Sequence, residues 1–416
     1  TLGVLEPGAG DLADRLDDLD LLVADLGQGD VELRRLLGGG LLGSGGASGR
    51  GGHGRGRLDA ELLFDALLHL GRVHDRHGLE DGPLRHAFQE AGIETEVVRT
   101  GRLREPTKYL RSIRAIGQCI KRYDADLVFS WMPKAHLYGG WAAQLNSVPS
   151  VWYQHGTPQL GWMDQLTTLI PADRIIACSR HVASMQNTLW PERPTSVVYP
   201  AVDVGDFDPD SLPSPEDGRR QLGLPEDGPL IGLVGRLQRW KGIHVLLNAM
   251  PDVLRQHPSA HAVIVGGRHD LEPDYPDFLA RRIDALGIED AVELTGYQSN
   301  IPLWMQAMDV IVHASDREPF GMVVIEAMAL GKPVVAGAEG GPAEIITPGT
   351  DGLLAPYDDA DALSTQILRY LDNPNRMTAI GAAAQRRARD FSAQRFTRCL
   401  LKTLDSVTAP SRVHHP

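Results

Sequence analysis

Short apolar runs recur along this chain at intervals that leave room for one helix between successive runs. DLVFSW, SVWYQH, RIIACS and SVVYP occupy its first half, and PLIGLVG, HAVIVGG, AVELTG, DVIVHAS, PVVAGA and DGLLAP its second. Strands alternating with helices of ~10 to 15 residues imply parallel sheets covered by helices on both faces. The segment EVVRT opens the first series, with helices expected at 107–122, at 138–145 and from His181. A Pro/Asp-rich stretch, YPAVDVGDFDPDSLPSPEDG, interrupts the rhythm between the series and reads as a linker. The reading is therefore two α/β domains at 79–200 and 229–385, a linker at 201–228, and a C-terminal helix and tail at 386–416 that pack back across the linker. A length of 416 residues suits two domains.

Residues 1–78 differ in character. They contain no Ile, Lys, Met, Asn, Trp, Tyr or Cys, and Gly, Leu, Asp and Arg dominate. The Gly-rich run at 38–57 cannot bury enough side chain to offset its ordering entropy, so disorder is expected there. Leu/Asp-rich pieces such as LADRLDDLDLLVADL read as short helices. No Gly-Lys-Ser/Thr signature accompanies the glycines, which argues against a phosphate cradle.

The remaining composition excludes several classes. No apolar run approaches the ~20 residues of a membrane-spanning helix. A formal charge of −13 argues against general nucleic-acid binding. Cys119, Cys178 and Cys399 show neither metal-ligand spacing nor a disulfide framework. With no secretory signal at Thr1, a cytoplasmic protein is expected. One basic stretch stands out: residues 102–122 carry seven basic side chains and one acidic one. Leu110, Ile113, Ile116 and Ile120 recur there at helical spacing. The outer face reads as solvated, with peripheral contact to anionic lipid at the inner membrane face as the alternative.

In open parallel sheets ligands bind beyond the carboxyl ends of the strands, which directs attention to the loops there. In GRLQRWKG the strand ends at Gly235, and Arg236 and Lys241 flank a loop ahead of a helix N-terminus, where an anion gains cationic partners and the helix dipole. Taken alone, this loop reads equally as an ordinary surface pair. In SDREPFGMVVIEAMALG, residues 316–321 form a loop and 322–330 a helix closed by Gly331. Glu318 lies in the loop and Glu326 in the second helical turn, separated by up to ~12 Å at 1.5 Å rise per residue. Such a pair can accept hydrogen bonds from two polyol ends of one ligand while amides at the helix start meet a phosphate between them. His155, after the strand SVWYQ, and Ser179, in ACSRHV, also follow strands. For His155 a functional role at a strand end is weighed above the structural hydrogen bond of a lone histidine, and for Ser179 a helix cap above contact with an acceptor.

GRLQRWKG, then EPFGMVVIEAMALGKPVVAGAEGGPAEII with its glutamates eight apart, then DGLLAP resemble the donor half of retaining GT-B glycosyltransferases of family four. The resemblance covers residues 79–406. It implies two Rossmann-like parallel α/β domains facing across a cleft, and transfer of a sugar from a nucleoside-diphosphate sugar to a hydroxyl acceptor, whether a glycan, a lipid or a small molecule. It also implies that no metal or other cofactor is needed. Arg236 and Lys241, beside Gly235, would bind the diphosphate. Glu318 would hold sugar hydroxyls, with the amides of Phe320, Gly321, Met322 and Val323 near sugar and phosphate. Glu326 would bind the ribose, Gly296 and Tyr297 would border the base, and His155 would lie near the transferred sugar. His155, Glu318, Arg236 and Lys241 are the expected catalytic group.

What precedes residue 79 does not match the family's opening strand and Gly-rich loop. A non-catalytic nucleotide-binding remnant therefore stays open as an alternative, and a nucleotide-sugar 2-epimerase is another on the same fold, although the GRLQRWKG loop with glutamates eight apart favours transfer. The DAD at 124–126 resembles a metal-binding DxD but precedes a strand instead of following one, so it reads as a turn.

Overall fold

The computed structural model describes residues 21–25, 94–98, 100 and 103–408. The Gly-rich run at 38–57, most of the Leu/Asp-rich pieces, the segment 79–93 and the tail beyond 408 lie outside the described residues. Contacts group the described residues up to Tyr153, Gln165–Ile175 and the described residues from Leu400 in one compact unit, and Gln154–Asp164 with Ile176–Cys399 in another.

The first described element, β1 (Leu21–Asp25), pairs antiparallel with β2 (Glu94–Val98), Leu21 opposite Val98 and Asp25 opposite Glu94. Two expectations change here. LLVAD is a strand and not part of a helix, because an apolar run of this length fits either state until it finds a partner. EVVRT leaves the parallel series for this two-stranded sheet.

Helix α1 (Pro106–Arg122) starts with a proline in its first turn and carries Lys121 and Arg122 in its last, where the helix dipole favours cations. Ile113, Ile116 and Ile120 are buried, but Leu110, expected with them, is 63% exposed. At 100° per residue, Leu110 lies roughly 90° round from the centre of the isoleucine stripe. The strands β3 (Val128–Ser130), β4 (Ser150–Gln154), β5 (Arg174–Ala177) and β6 (Thr195–Val197) form a sheet in that order. Helices α2 (Pro133–Leu145), α3 (Trp162–Leu169) and α4 (Arg180–Gln186) separate them. All five β4 residues are buried, which is why its centre, VWY, reads as a continuous apolar run and not as an alternating one. Asp124 has φ 49° and sits in the turn that ends α1, as expected of the DAD segment.

The stretch read as a linker contains a short 3-10 turn (Pro209–Ser211) and then helix α5 (Pro215–Leu222). Ser214 accepts from the Asp217 N–H at its start, and Gly223 at φ 69° ends it. The Pro/Ser/Asp composition that suggested a linker is in part the capping chemistry of a helix N-terminus.

The six runs of the second series all form strands: β7 (Leu230–Val234), β8 (His261–Val265), β9 (Val292–Gly296), β10 (Val310–His313), β11 (Val334–Gly337) and β12 (Leu353–Ala355). They make one parallel sheet in the order β12-β11-β10-β7-β8-β9. Helices α6 (Ile243–Gln256), α7 (Tyr275–Leu286), α8 (Ile301–Ala307), α9 (Met322–Ala329) and α10 (Pro342–Ile345) connect them. The chain closes with three helices, α11 (Ala360–Leu371), α12 (Pro374–Ala388) and α13 (Ala393–Thr408), the last of them within the segment 386–416 read as a C-terminal helix and tail. The core runs through this sheet, with Ile231, Ile264, Val310, Val312 and Val335 buried against Leu246, Met250 and Ile367. The chain order of the strands reverses between β7 and β10. Crevices form at such a switch point, and the loops leaving these two strands are GRLQRWKG and SDREPFG.

Candidate functional site

The loops after β7 and β10 are held together by backbone. Gly242, at φ 69°, begins α6, and a Cβ there would lie 2.0 Å from the Ala314 carbonyl oxygen. A side chain would push the two loops apart. On the other flank Gly341 donates its N–H to the Glu318 carbonyl at 2.8 Å, and a Cβ on it would lie 2.2 Å from the Phe320 Cα. The paired glycines of GAEGGPAE thus let the following loop close on residues 318–320.

These constraints bring Lys241 and Glu318 together. Lys241 Nζ donates to Glu318 Oε2 at 2.6 Å, the two side chains being 14% and 13% exposed. The ammonium also lies 3.9 Å from the Trp240 ring centroid, within cation–π range. His313, the last residue of β10, places Nε2 3.2 Å from the same Oε2. Burial alone would raise the pKa of Glu318, but the Lys241 charge and the His313 hydrogen bond outweigh it and hold the carboxyl well below the usual carboxylate range. Glu318 is a fixed anion at neutral pH. Arg236, half-buried at the end of β7, has Nη1 3.3 Å from His269 Nε2. Arg239 of the same loop turns away, to Glu272 and Asp274.

Helix α9 begins at Gly321, φ 108°, with no side-chain cap. The first amides of any helix lack intrahelical acceptors, so an anion at this end is favoured. Phe320 is buried, Met322 and Val323 are half-buried, and Glu326 sits half-buried in the second turn of the helix. Gly296, φ 72°, ends β9, and the Tyr297 side chain after it is 69% exposed.

His155, half-buried after β4, is tied to the Glu318 loop through a cysteine: the Cys178 thiol lies 3.2 Å from the His155 carbonyl and 3.9 Å from the Pro319 carbonyl. Burial first, and the Glu318 charge second, push the Cys178 pKa far up, so it is a thiol donor and no nucleophile. Ser179 accepts from the Val182 N–H at 3.0 Å and caps α4, as its position predicts.

Two residues escaped the sequence reading. His313 is a polar side chain at the carboxyl end of an apolar strand, a signal that was available. Glu344, in the first turn of α10, accepts from the backbone N–H groups of Arg180 and His181 at 2.9 and 2.7 Å and from the Tyr199 hydroxyl at 2.9 Å. Among the described residues no cluster of three or more His, Cys, Asp or Glu could hold a metal ion, and no helix is long and apolar enough to cross a membrane.

Two parallel α/β sheets, with cationic and carboxylate side chains at the switch point of the second, define the GT-B class of fold. Residues 215–387 match the family model described as glycosyl transferases group 1, and residues 71–206 match that of glycosyltransferase family 4. The chain belongs to these glycosyltransferases. It is similar to the D-inositol 3-phosphate glycosyltransferase of Frankia alni, 33% identical over 229 residues, which covers 54% of this chain and 55% of that protein. The enzyme of that name from Salinispora tropica is 34% identical over 253 residues, 58% of this chain and 52% of that protein. The chain spans about half the length of the curated relatives it matches. Among solved structures, Anabaena Alr3699/HepE in complex with UDP superposes with a TM-score of 0.71 at 26% identity, over 83% of this chain and 96% of that one. A glycosyltransferase from Rickettsia africae gives a TM-score of 0.73 at 22% identity, over 85% of this chain and 94% of that one.

Proposed function

We propose that this protein is a retaining glycosyltransferase that moves a sugar from a nucleoside-diphosphate sugar to a hydroxyl acceptor. The observation that carries the reading is the contact of Lys241 with Glu318 ahead of the start of α9 at the β7/β10 switch point, with Arg236 on the same loop as Lys241. In this reading Arg236, Lys241 and the amides of residues 320–323 take the diphosphate. Glu318 accepts from sugar hydroxyls, Glu326 accepts from the ribose, and Gly296 and Tyr297 border the base. His155 lies by the transferred sugar.

The reaction needs charge stabilisation more than a protein base. The bond from anomeric carbon to phosphate oxygen breaks and the acceptor oxygen bonds that carbon on the same face. The departing phosphate oxygen takes the acceptor's proton. Negative charge grows on the diphosphate, where fixed cations and helix amides stabilise the transition state more than the ground state.

Uridine is the first base to test, because Alr3699/HepE has been solved with UDP and with UDP-glucose. D-inositol 3-phosphate belongs in the acceptor panel, given the names of the relatives. Peripheral membrane contact through the basic face of α1, at the cytoplasmic side, is a further part of the proposal. It is supported by the exposed Lys108, Arg111, Arg114 and Leu110. Thermal stability with saturating UDP, GDP and ADP tests the donor site, since a ligand at 100 times its dissociation constant adds ~2.7 kcal/mol. Transfer from a labelled donor, with the anomeric configuration of the product read by NMR, tests the reaction. Inversion at C2 of the donor sugar without transfer would mark an epimerase and overturn it.

A further inference from the structure

His313 is 3% exposed at the end of β10, where neighbouring strands bury it. A carboxylate can only accept, so the ring nitrogen facing Glu318 Oε2 is the donor, and a neutral His313 carries its proton on Nε2. Ser315 Oγ lies 3.4 Å from the same nitrogen. Lys241 donates to that same Oε2. One carboxylate oxygen thus takes donors from the end of β10 and from the loop after the neighbouring β7, and Oε1 accepts neither of these bonds.

This arrangement conflicts with the roles proposed for the two charged groups unless one of them moves. Lys241 cannot neutralise a donor diphosphate at full strength while it stays 2.6 Å from Glu318. Its four-carbon stem makes it the mobile partner, and an ammonium has no fixed fork geometry to lose when it turns. Glu318 would then be a buried carboxylate deprived of its cation, which is costly unless another donor remains. His313 is the donor that does not move, because the strand end and its burial fix it.

We propose that His313 is a positioning residue for the donor sugar. It holds Glu318 at Oε2 when Lys241 turns from the carboxylate to the diphosphate, so that Oε1 meets a sugar hydroxyl in a set place. The apo ion pair is then a latch that the diphosphate opens, and sugar recognition follows phosphate recognition. The proposal rests on the donor-site reading above.

The test begins with the wild-type chain and a panel of UDP-glucose, UDP-galactose, UDP-N-acetylglucosamine, GDP-mannose and ADP-glucose, each titrated calorimetrically beside its bare nucleoside diphosphate. The tightest-binding sugar nucleotide is carried into His313→Leu and His313→Gln. In His313→Leu the bare diphosphate is expected to bind within about twofold of wild type, while the sugar nucleotide weakens about tenfold, the loss of one hydrogen bond to a charged group. Turnover should fall at least as far. His313→Gln, which keeps a donor, should recover most of both losses, and no purely volumetric role would give that recovery. An unchanged affinity ratio in His313→Leu, with the circular dichroism spectrum and melting temperature intact, would overturn the assignment. An equal loss for both ligands would overturn it too, since the residue would then shape the whole pocket. If wild type binds no nucleotide of either kind, the donor site itself is wrong, an outcome distinct from the other two.

Discussion

Tyr199 donates its hydroxyl hydrogen to the Glu344 carboxylate at 2.9 Å, and the same carboxylate accepts the Arg180 and His181 backbone N–H groups at the start of α4. The Tyr199 ring lies 5.8 Å from that of Phe320 and 5.9 Å from that of Phe391. Burial first, and Glu344 second, push the phenol up to about 12, so it stays a donor across the working pH range. Glu344 and Tyr199 together therefore link the start of α4 to Phe320 in the loop before α9.

Removing that carboxylate leaves two amides and a hydroxyl without their acceptor. Glu344→Ala should cost about 2–3 kcal/mol in urea unfolding, the scale of hydrogen bonds to a charged group. Tyr199→Phe removes one bond and keeps the ring stacking, so about 1 kcal/mol is expected. Equal costs for both variants would refute the view that Glu344 is the centre of the contact.

Arg219 gives a second stability test. It is buried at 7% exposure within the stretch read as a linker, and its guanidinium bonds the Ala307 and Gly228 carbonyls and Asp309 Oδ2, the last at 2.6 Å. Asp309 Oδ2 also accepts the Leu230 N–H at 2.7 Å. Arg219→Met would leave Asp309 with the Leu230 N–H alone and take the donor from the Ala307 and Gly228 carbonyls, and a loss of about 2–4 kcal/mol is expected in chemical denaturation. A cost below 1 kcal/mol, measured the same way, would show that α5 is a loosely attached connector.

These two cases show what the residues alone conveyed. PLIGLVG, HAVIVGG and DVIVHAS were legible as strands because each is a continuous apolar run bounded by Gly, Pro or Ser, the pattern of a strand covered on both faces. Charges at their carboxyl ends were legible as site candidates for the same reason. Strand order was not. That Lys241 meets Glu318, 77 residues away, depends on β10 lying beside β7, which no local pattern encodes. EVVRT reads the same in a parallel or an antiparallel sheet, since the partner decides. Glu344 was passed over because its partners are two backbone amides and a tyrosine more than 140 residues distant.

Acid should act on the ion pair in a defined direction. The Glu318 carboxyl is held below its usual 4.5 in the folded chain, so its contribution to stability is fully present above that value and is lost as pH falls through the folded one. The stability gap between wild type and Glu318→Gln should be constant from about pH 8 to 5 and narrow below about pH 4.5. Denaturant titrations at half-unit pH steps would reveal it. A gap that widens toward acid would mean that the carboxyl is already protonated in the fold.

Lys241→Met separates phosphate binding from base binding. With the ammonium gone and the stem volume kept, UDP should weaken by about tenfold or more, the range for a lost charge-assisted contact, while uridine binds as before. Calorimetry with both ligands measures this. An equal loss for both would place Lys241 against the nucleoside.

His155 and Glu326 should differ in which kinetic constant they move. Glu326 lies in the second turn of α9, one turn beyond the amides assigned to the phosphate, and its proposed partner is the ribose, present in the ground state and the transition state alike. Removing a uniform binding contact raises KM and leaves kcat near its starting value. Glu326→Ala is therefore expected to raise donor KM about tenfold, with UDP affinity falling in parallel. His155 follows β4, and its backbone is pinned through Cys178 to Pro319, the residue after Glu318. In the proposed role its side chain acts on charge that develops as the glycosidic bond to phosphate breaks, and on that reading His155→Ala should lower kcat by about a hundredfold with donor KM within a factor of about three. Steady-state kinetics on both variants with one donor distinguishes the roles. If His155→Ala instead raises KM at constant kcat, the histidine belongs to ground-state binding, and the stabilisation of the leaving diphosphate falls to Arg236, Lys241 and the helix amides alone.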